Sequence, residues 1–422
     1  MIDIKLIREQ REFVKKEIEK LSVSSLIIDE ICELDESKRK LLYDTECLRN
    51  TRKILSREIS SEKNEEKVSA KKNEVKKIND TIKFQEEDLA LIDNKLTELM
   101  LNVPNLPDPD VPLGEDDSHN VTVSYFNEKK SFEFKPLAHY EIGEKRGLID
   151  FERGVKISGT RFYVLKKGFA RLQRALINFM LDTHILEHGY EEVYPPFMVN
   201  EDCLVGTGQL PKFADNLYKD DDSGFWFVPT AEVPVTNMYR DEIIDPGLLP
   251  VKHVAYTACF RKEKMSAGKD TRGIKRGHQF DKVELVKIVL PEKAKEELSS
   301  LISDAQDILN RLEIPHRLVQ MCAGDLSFSA AEKYDIEAYA PGVNEWLEVS
   351  SCSNFNTFQS RRANIKFKRD KNSRAEFAAT LNGSGLALPR VMIAVIENYQ
   401  TRDGLVKIPD ALRKYLNDEE FI

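Results

Sequence analysis

Glycine and proline are missing from the first 103 residues of this 422-residue chain, although the whole chain holds 19 Gly and 17 Pro. Because these two residues interrupt almost every compact fold, their absence predicts a long helical region. The first proline is Pro104, and Pro107, Pro109 and Pro112 follow closely, which predicts a stiff linker. We therefore expect an N-terminal helical domain at 1–105 and a second domain at 106–422.

Long apolar runs, closely paired cysteines and an excess of positive charge are also missing. No stretch approaches the roughly 20 apolar residues that span a bilayer, and the N-terminus has no apolar signal-peptide core. The six cysteines form no CxxC pair, which gives no reason to expect zinc or disulfides. The net charge of −9 argues against a uniformly basic surface for nucleic acid. We expect a cytoplasmic protein without a membrane segment.

Apolar residues repeat every seven positions in two series within the first domain. The series are Leu34, Leu41, Leu48 and Leu55, and Val75, Ile82, Leu89 and Leu96. This period is typical of a coiled coil, and the short polar segment 60–64 between the series predicts an antiparallel hairpin at about 27–100. Helices of about 35 residues would make an arm on the order of 50 Å long. Polar residues interrupt the pattern at Lys38, Thr45 and Arg52 in the first helix and at Gln85 in the second.

The tip of the predicted arm is basic. Residues 49–83 contain 11 Lys or Arg against 6 Asp or Glu. A solvated helix face with ion pairs explains such a mixture, and contact with phosphates is the alternative. A two-helix arm buries little core, so its projection from a globular body favours a role in reaching a partner.

The second domain mixes short β-rich runs with helical patterns. Without regular βαβ alternation, this order predicts an α+β body on a largely antiparallel sheet. The predicted strands are 161–165, 225–229, 254–259, 283–289 and 347–349, and the predicted helices are 168–188, 292–312 and 391–400.

Segment 258–286 has the pattern of a strand, a basic loop and a second strand. Its cations are Arg261, Lys262, Lys264, Lys269, Arg272, Lys275 and Arg276. Such density suits a polyphosphate, because arginine binds phosphate oxygens in pairs. Phe280 beside these cations would stack on a base. A charged hairpin on the surface is the alternative.

Two further segments indicate an anionic ligand and a metal ion. In 381–400 a glycine-rich strand leads into a helix, and Arg390 at a helix start is unfavourable for the helix dipole unless an anion binds there. In 346–353, Glu348 and the hydroxyls of Ser350 and Ser351 are hard oxygen ligands of the kind that Mg²⁺ prefers.

His184 and His188 match the H-x-x-E-H pattern of some zinc peptidases. They also fall at the predicted end of a helix just before Gly189, where histidine interacts favourably with the dipole. We interpret the pair as a helix end rather than a metal site.

Taken together, three of these segments resemble the motifs of the class II aminoacyl-tRNA synthetases. Motif 1 would be the helix from Gly168 with the strand at 189–196, motif 2 would be 260–280, and motif 3 would be 383–390. Within that class the chain resembles the seryl-tRNA synthetases, through the arm and through 207–213, 229–232, 276–280 and 348–354. The resemblance covers essentially the whole chain in order. It implies a class II antiparallel sheet flanked by helices, preceded by the all-α arm.

The resemblance also implies a function. A member of this family activates L-serine with ATP and transfers it to the 3′ end of tRNA(Ser), and whether tRNA(Sec) is also charged stays open. Mg²⁺ would accompany ATP at Glu348 and Ser351, and no structural zinc is expected. The arm would hold the tRNA, and motif 1 would form a homodimer.

Residue roles follow from the same resemblance. Serine contacts fall on Thr230, Ala231, Glu232, Arg261, Glu284, Asn382 and Ser384. ATP contacts fall on Arg261, Lys262, Glu263, Arg276, Phe280, Glu348, Val349, Ser350, Ser351 and Arg390. Catalytic roles fall on Arg261, Glu263 and Arg390. Ala387 and Pro389 depart from the family pattern, which bears on the backbone next to Arg390.

Two other functions remain open at this point. A related ligase would load an amino acid onto a carrier protein, although such proteins lack the long arm. A catalytically silent coiled-coil binding protein would have lost residues such as Arg261, Glu284 or Arg390, all of which are present.

Overall fold

The computed structural model describes residues 1–264 and 272–422. Their contacts divide the chain into two units, Ile2–Pro104 and Asn105–Ile422, the second together with Met1. The helices of the first unit are α1 (Ile4–Glu9), α2 (Arg11–Glu19), α3 (Leu26–Ser61) and α4 (Glu65–Asn102).

Helices α3 and α4 form the predicted antiparallel coiled-coil arm. They contain 36 and 38 residues, which corresponds to about 54 and 57 Å. Ile82 and Leu96 of the predicted series are buried, and Asn64 caps the start of α4 by accepting a hydrogen bond from the backbone of Lys67. The short helices α1 and α2 carry no heptad pattern and were not predicted.

Polar residues that interrupt one apolar series face polar residues of the other helix. The hydroxyl of Thr45 and the side chain of Gln85 lie 2.9 Å apart, and Thr45 is only 1% exposed. Arg52 donates to Asn79 over 3.1 Å, and Lys38 forms an ion pair with Asp93. Each interruption is therefore matched across the seam, which fixes the register of the two helices.

The second unit is built on a sheet that has eight strands among the described residues. Their order is β1 (Val121–Phe126), β10 (His316–Gln320), β11 (Glu332–Ala340), β12 (Glu345–Asn354), β15 (Ala379–Ala387), β9 (Gln279–Val289), β8 (Val251–Phe260) and β4 (Glu191–Glu192). Only the β4–β8 pair is parallel within this described sheet. The antiparallel α+β prediction is confirmed.

The remaining strands are short. They are β2 (Ile149–Asp150), β3 (Val164–Leu165), β5 (Met198–Val199), β6 (Trp226–Phe227), β7 (Ile243–Ile244), β13 (Lys366–Phe367) and β14 (Glu376–Phe377).

Helices cover the sheet and supply its core. They are α5 (His139–Lys145), α6 (Phe151–Ser158), α7 (Lys167–Leu186), α8 (Glu201–Thr207), α9 (Glu232–Asn237), α10 (Ala294–Arg311), α11 (Phe358–Ala363), α12 (Leu388–Asn398) and α13 (Asp410–Arg413). Apolar residues of α7, α10 and α12, such as Leu176, Leu301 and Ile393, are fully buried in one core with the central strands. In the described part of the chain, no helix combines the length and apolar character needed to cross a bilayer.

Candidate active site

A cavity of about 430 Å³ lies over the sheet where β8, β9, β12 and β15 meet. Most of the residues predicted for serine and ATP line it, although they come from segments far apart in the chain. These lining residues are Thr230, Glu232, Arg261, Glu263, Arg276, Phe280, Glu284, Glu348, Val349, Ser351, Asn382, Ser384 and Arg390. The structure therefore brings together thirteen of the sixteen predicted site residues in one cavity.

Three predicted residues are not among those that line the cavity. Ala231 is fully buried at the start of α9. Lys262 donates its backbone N–H to the carbonyl of Asn216 over 2.9 Å. Ser350 donates its hydroxyl to the carbonyl of Ser384 over 2.7 Å. The side chain of Ser350 therefore binds the backbone of a lining residue and does not itself line the cavity.

One end of the cavity is buried and lined by carboxylates, a hydroxyl and an amide. Asn382 donates to Oε1 of Glu284 over 2.7 Å, and Lys282 donates to the hydroxyl of Thr230 over 2.8 Å. Oε2 of Glu284 is in ion-pair contact with the ammonium of Lys282 but accepts no hydrogen bond from the described residues. A buried oxygen in this state can accept a hydrogen bond from a ligand without losing one from the protein.

Glu232 is the second buried carboxylate at this end. Burial, and then the charge of Glu284, raise its pKa to about 7. Gln359 donates to its Oε1 over 2.6 Å, and Gln359 in turn accepts a hydrogen bond from the hydroxyl of Thr380 over 2.8 Å. Two carboxylates and one lysine thus leave this end with a net negative charge once Glu232 is ionised, which suits a ligand ammonium group.

The other end of the cavity is cationic and is formed by the motif 2 segment. The guanidinium of Arg261 lies 5.1 Å from the ring centre of Phe280, and its Nε donates to the carbonyl of Pro229 over 3.2 Å. Arg276 lies 3.6 Å from the carboxylate of Glu263. The backbone of Glu263 has a φ of 50°, a conformation that few residues other than glycine adopt.

Glu348, Ser351 and Arg390 form a third cluster on the cavity wall. Nη1 of Arg390 lies 2.7 Å from the carbonyl of Glu348 and 3.2 Å from its carboxylate. The hydroxyl of Ser351 lies 3.2 Å from the same carboxylate. Partial desolvation would by itself raise the pKa of Glu348, whose side chain is 44% exposed, but the charges of Arg390, Lys333 and Arg261 outweigh this effect and lower the pKa to about 2. Glu348 is therefore ionised at neutral pH, as a metal ligand must be.

Strand alternation explains why these side chains converge. Phe280, Lys282 and Glu284 are spaced two apart on β9, so all three point to the cavity face of the sheet. On β15, Asn382 and Ser384 face the cavity while Gly383 faces the core. A Cβ on Gly383 would lie 2.2 Å from Leu301 of α10, so only glycine lets the helix approach this strand.

Several charged and polar groups of the site were not predicted from the sequence. Lys282 and Lys333 line the cavity, and Asp335 accepts a hydrogen bond from Ser351 over 2.5 Å. The alternation of Lys282 with Glu284 on a predicted strand was the available signal for that lysine. Gln359 comes from a helix that carries none of the motifs, so no local signal could have found it.

The backbone next to Arg390 accommodates both departures from the family pattern. Helix α12 begins at Leu388, so Pro389 occupies its first turn, where no helical hydrogen bond needs its N–H. Ala387 is extended, with φ −78° and ψ 112°. Lys269, which belongs to the predicted phosphate-binding loop, lies outside the described residues.

His184 and His188 make hydrogen bonds instead of converging on a vacant ligand position. Their Nδ1 atoms lie 2.9 Å apart, His188 Nε2 lies 3.1 Å from Asp307, and His184 Nε2 lies 3.2 Å from the carbonyl of Gly385. Burial lowers the pKa of His184 to about 3. No group of three metal-ligating side chains with suitable geometry occurs within 1–264 and 272–422.

Comparisons with known proteins identify the family to which the chain is similar. The family described as "Seryl-tRNA synthetase N-terminal domain" matches residues 1–107, and "tRNA synthetase class II core domain (G, H, P, S and T)" matches residues 215–399. The serine–tRNA ligase of Thermomicrobium roseum is 53% identical over 100% of this chain and 95% of its own length. The serine–tRNA ligase of Chloroflexus aurantiacus is 49% identical over the full length of both.

Two solved structures share the whole fold. The seryl-tRNA synthetase of Pyrococcus horikoshii complexed with ATP has a TM-score of 0.95 and 36% identity, covering 100% of this chain and 99% of that one. The cytoplasmic serine–tRNA ligase of Naegleria fowleri in complex with AMP has a TM-score of 0.89 and 30% identity, covering 100% and 98%. The chain belongs to the seryl-tRNA synthetase family of class II aminoacyl-tRNA synthetases.

Proposed function

We propose that this chain activates L-serine with ATP to seryl-adenylate and transfers the seryl group to the 3′ end of tRNA(Ser), both at the cavity over β9 and β15. The observation that carries the proposal is the polarity of that cavity. Its buried end holds Glu284, Glu232 and Thr230, and its other end holds Arg261, Arg276 and Arg390. An amino acid with a polar side chain fits the first end, and a nucleoside triphosphate fits the second.

The buried end selects serine through hydrogen bonds. Oε2 of Glu284, which is in ion-pair contact with Lys282, accepts the serine hydroxyl, while Thr230, Asn382 and Ser384 complete the polar wall. Ionised Glu232 attracts the serine ammonium group. Alanine would leave these buried groups unpaired, which is how a site built to bind a hydroxyl rejects the analogue that lacks it.

The cationic end binds and orients ATP. Phe280 stacks on adenine, Arg276 and Arg390 neutralise the outer phosphates, and Arg261 lies between the serine carboxylate and the α-phosphate. Glu263 holds Arg276 in place. Ionised Glu348 and the hydroxyl of Ser351 are a suitable oxygen pair for Mg²⁺, which would neutralise phosphate charge when bound.

Adenylation then requires positioning more than proton transfer. The serine carboxylate is ionised at neutral pH, so its oxygen attacks the α-phosphorus without a general base. A new O–P bond forms as the bond to pyrophosphate breaks, and Arg261 and Arg390 stabilise the negative charge that moves to the phosphate oxygens. A terminal ribose hydroxyl of tRNA next attacks the seryl carbonyl, and AMP leaves.

The remaining assignments complete the proposal. Residues 1–105 form the tRNA-binding domain and 106–422 the catalytic domain. The basic tip of the arm contacts the tRNA backbone.

Strand β4 lies at the edge of the described sheet, and Leu186 and Tyr194 beside it are 77% and 78% exposed. This apolar edge supports a homodimer through motif 1. The enzyme works in the cytoplasm, where translation takes place.

ATP–pyrophosphate exchange without tRNA tests the first step. We expect exchange with serine and with no other of the twenty amino acids, and a tRNA-charging assay then separates this function from loading of a carrier protein. Exchange with a different amino acid would overturn the assignment of the cavity, and absence of exchange in a tRNA-charging protein would overturn the order of steps.

Glu284→Ala sharpens the test, because it removes the acceptor for the serine hydroxyl. We expect kcat/KM for serine to fall by about 100-fold or more, since a buried charged acceptor contributes on the order of 3 kcal/mol, while the KM for ATP changes by about twofold at most. Leu248→Ala, at an exposed site outside the cavity, is the control. An unchanged serine kcat/KM in Glu284→Ala would contradict the assignment.

A further inference from the structure

Residues 272–278, called the second limb of the motif 2 loop, lead into strand β9 and carry Arg276 into the cavity. Contacts that hold this limb in place therefore also position Arg276. The limb is anchored two residues earlier, at Ile274, whose side chain is fully buried. The backbone N–H of Ile274 donates to Nε2 of His139, over 3.2 Å. Gly273 has a φ of 81°, and a Cβ there would lie only 2.3 Å from the same Nε2. The backbone of the limb at Gly273 and Ile274 therefore packs directly against the imidazole ring of His139.

That imidazole is held by a buried carboxylate. His139 is 2% exposed and its Nδ1 lies 2.9 Å from Oε1 of Glu397, which is fully buried on α12. Because Nε2 accepts a hydrogen bond from Ile274, the ring hydrogen must be on Nδ1, where it is donated to Glu397. Glu397 thereby determines that Nε2 of His139 is the ring nitrogen that accepts a hydrogen bond.

Glu397 has no freedom to change this pattern. Its Oε1 also accepts from the backbone N–H of His139 over 2.9 Å, and its Oε2 accepts from the backbones of Gly342 and Val343 over 2.8 and 3.1 Å. Four donors around one carboxylate require it to be ionised and to accept at both oxygens. The carboxylate thus joins the helix after motif 3, the start of α5 and the turn between β11 and β12.

We propose that Glu397 and His139 are positioning residues, which hold the second limb of the motif 2 loop so that Arg276 is placed for the phosphates of ATP. The proposal rests on the function proposed above, because Arg276 is assigned there to ATP. Neither residue lines the cavity, so the pair acts on ATP through the backbone of Ile274 and not by touching it.

Two substitutions of His139 separate its two hydrogen bonds. The amide nitrogen of asparagine falls near Nδ1, so His139→Asn keeps the donor to Glu397 and loses the acceptor for Ile274. The longer glutamine reaches the place of Nε2, so His139→Gln keeps the acceptor for Ile274 and loses the donor to Glu397. Both remove one buried hydrogen bond, so a purely structural role predicts similar losses of thermal stability and similar kinetics.

Positioning predicts a different outcome for the two variants in serine-dependent ATP–pyrophosphate exchange. We expect His139→Asn to raise the KM for ATP by about tenfold, and His139→Gln to raise it by less than about threefold, because one lost buried hydrogen bond is worth about one decade in binding. The KM for serine should change by about twofold at most in both. Tyr140→Phe, next to His139 and without a bond to Glu397, is the matched control and should behave as the unchanged protein.

Equal ATP KM values in the two His139 variants would overturn the proposal. If His139→Asn does not fold, His139→Gln alone is compared with Tyr140→Phe, and an ATP KM that is more than about threefold higher in His139→Gln would overturn the proposal. If the unchanged protein shows no serine-dependent exchange, the proposed function fails, and calorimetric binding of a non-hydrolysable ATP analogue then decides the positioning role by the same comparison of variants.

Discussion

At the scale of single residues, the buried carboxylates of the cavity differ in their electrostatic surroundings. Glu284 is in contact with the ammonium of Lys282, whereas Glu232 is hydrogen-bonded only to a neutral amide among the described residues and has a pKa raised to about 7 by burial and by Glu284. Near neutral pH, Glu232 is therefore the carboxylate whose charge changes, and Glu284 supplies part of the repulsion that causes it.

This difference predicts a pH dependence of serine activation. Ionised Glu232 attracts the serine ammonium and protonated Glu232 does not, so kcat/KM for serine should fall as the pH drops through about 7, approaching tenfold per pH unit well below that value. Glu232→Gln, which cannot ionise, should show a lower and nearly flat profile. A profile of the unchanged protein that stays level between about pH 6 and about pH 8 would contradict the role of Glu232.

Most site residues were predictable because their segments combine unusual residue types in a short span. Arg261, Phe280, Glu348 and Arg390 belong to such segments, and the cavity brings all four together. Gln359 and His139 were not predictable, since each lies on an element without a motif and makes hydrogen bonds to residues far away in the sequence. Sequence spacing reports neighbours along a strand or helix, but it does not report which distant element packs behind them.

At the scale of elements, the arm was the most predictable part of the fold. Its heptads fix two helices, a turn and their seam, and each polar interruption is now explained by a polar partner such as Gln85 for Thr45. The short strands at the sheet's periphery, such as β5 and β7, have only two residues each and carry too few positions for any period to be read.

The arm and the cavity predict separable activities. Deletion of residues 35–95, with a short flexible connection between the stumps of α3 and α4, should abolish tRNA charging while serine-dependent exchange stays within about twofold, because no residue of the arm lines the cavity. A protein that keeps the arm but has Lys53 and Arg57, which are both exposed, changed to glutamate is the companion variant. It should lose charging mainly at higher salt, where the remaining phosphate contacts are screened. Equal loss of both activities on deletion would contradict this separation.

At the scale of the whole molecule, the described sheet ends in strand β4, whose outer backbone groups have no strand beside them in the described chain. A sheet edge flanked by exposed apolar residues is prone to pair with another chain unless it is covered. The exposed Leu186 and Tyr194 beside this edge support the proposed docking of a second copy there.

The proposed homodimer is testable by introducing charge at this edge. Leu186→Asp combined with Tyr194→Asp should shift the protein from dimer to monomer in sedimentation-velocity experiments, because a charge buried at an interface without a partner costs several kcal/mol. Leu248→Asp, which places the same charge at another exposed leucine, should leave the sedimentation coefficient unchanged. A double variant that still sediments as a dimer would place the interface elsewhere.

Gly383 has a consequence for any attempt to change the amino acid that the cavity accepts. Its two neighbours on β15, Asn382 and Ser384, line the cavity, whereas a carbon atom added at Gly383 would stand on the opposite side of the strand, within 2.9 Å of Leu301 and Cys352. Any larger residue at this position would push β15 away from α10 and carry Asn382 and Ser384 with it. Redesign for another amino acid must therefore keep this glycine and change the lining side chains themselves. Among these, Glu284 and Thr230 would have to be exchanged together with Lys282, which contacts both.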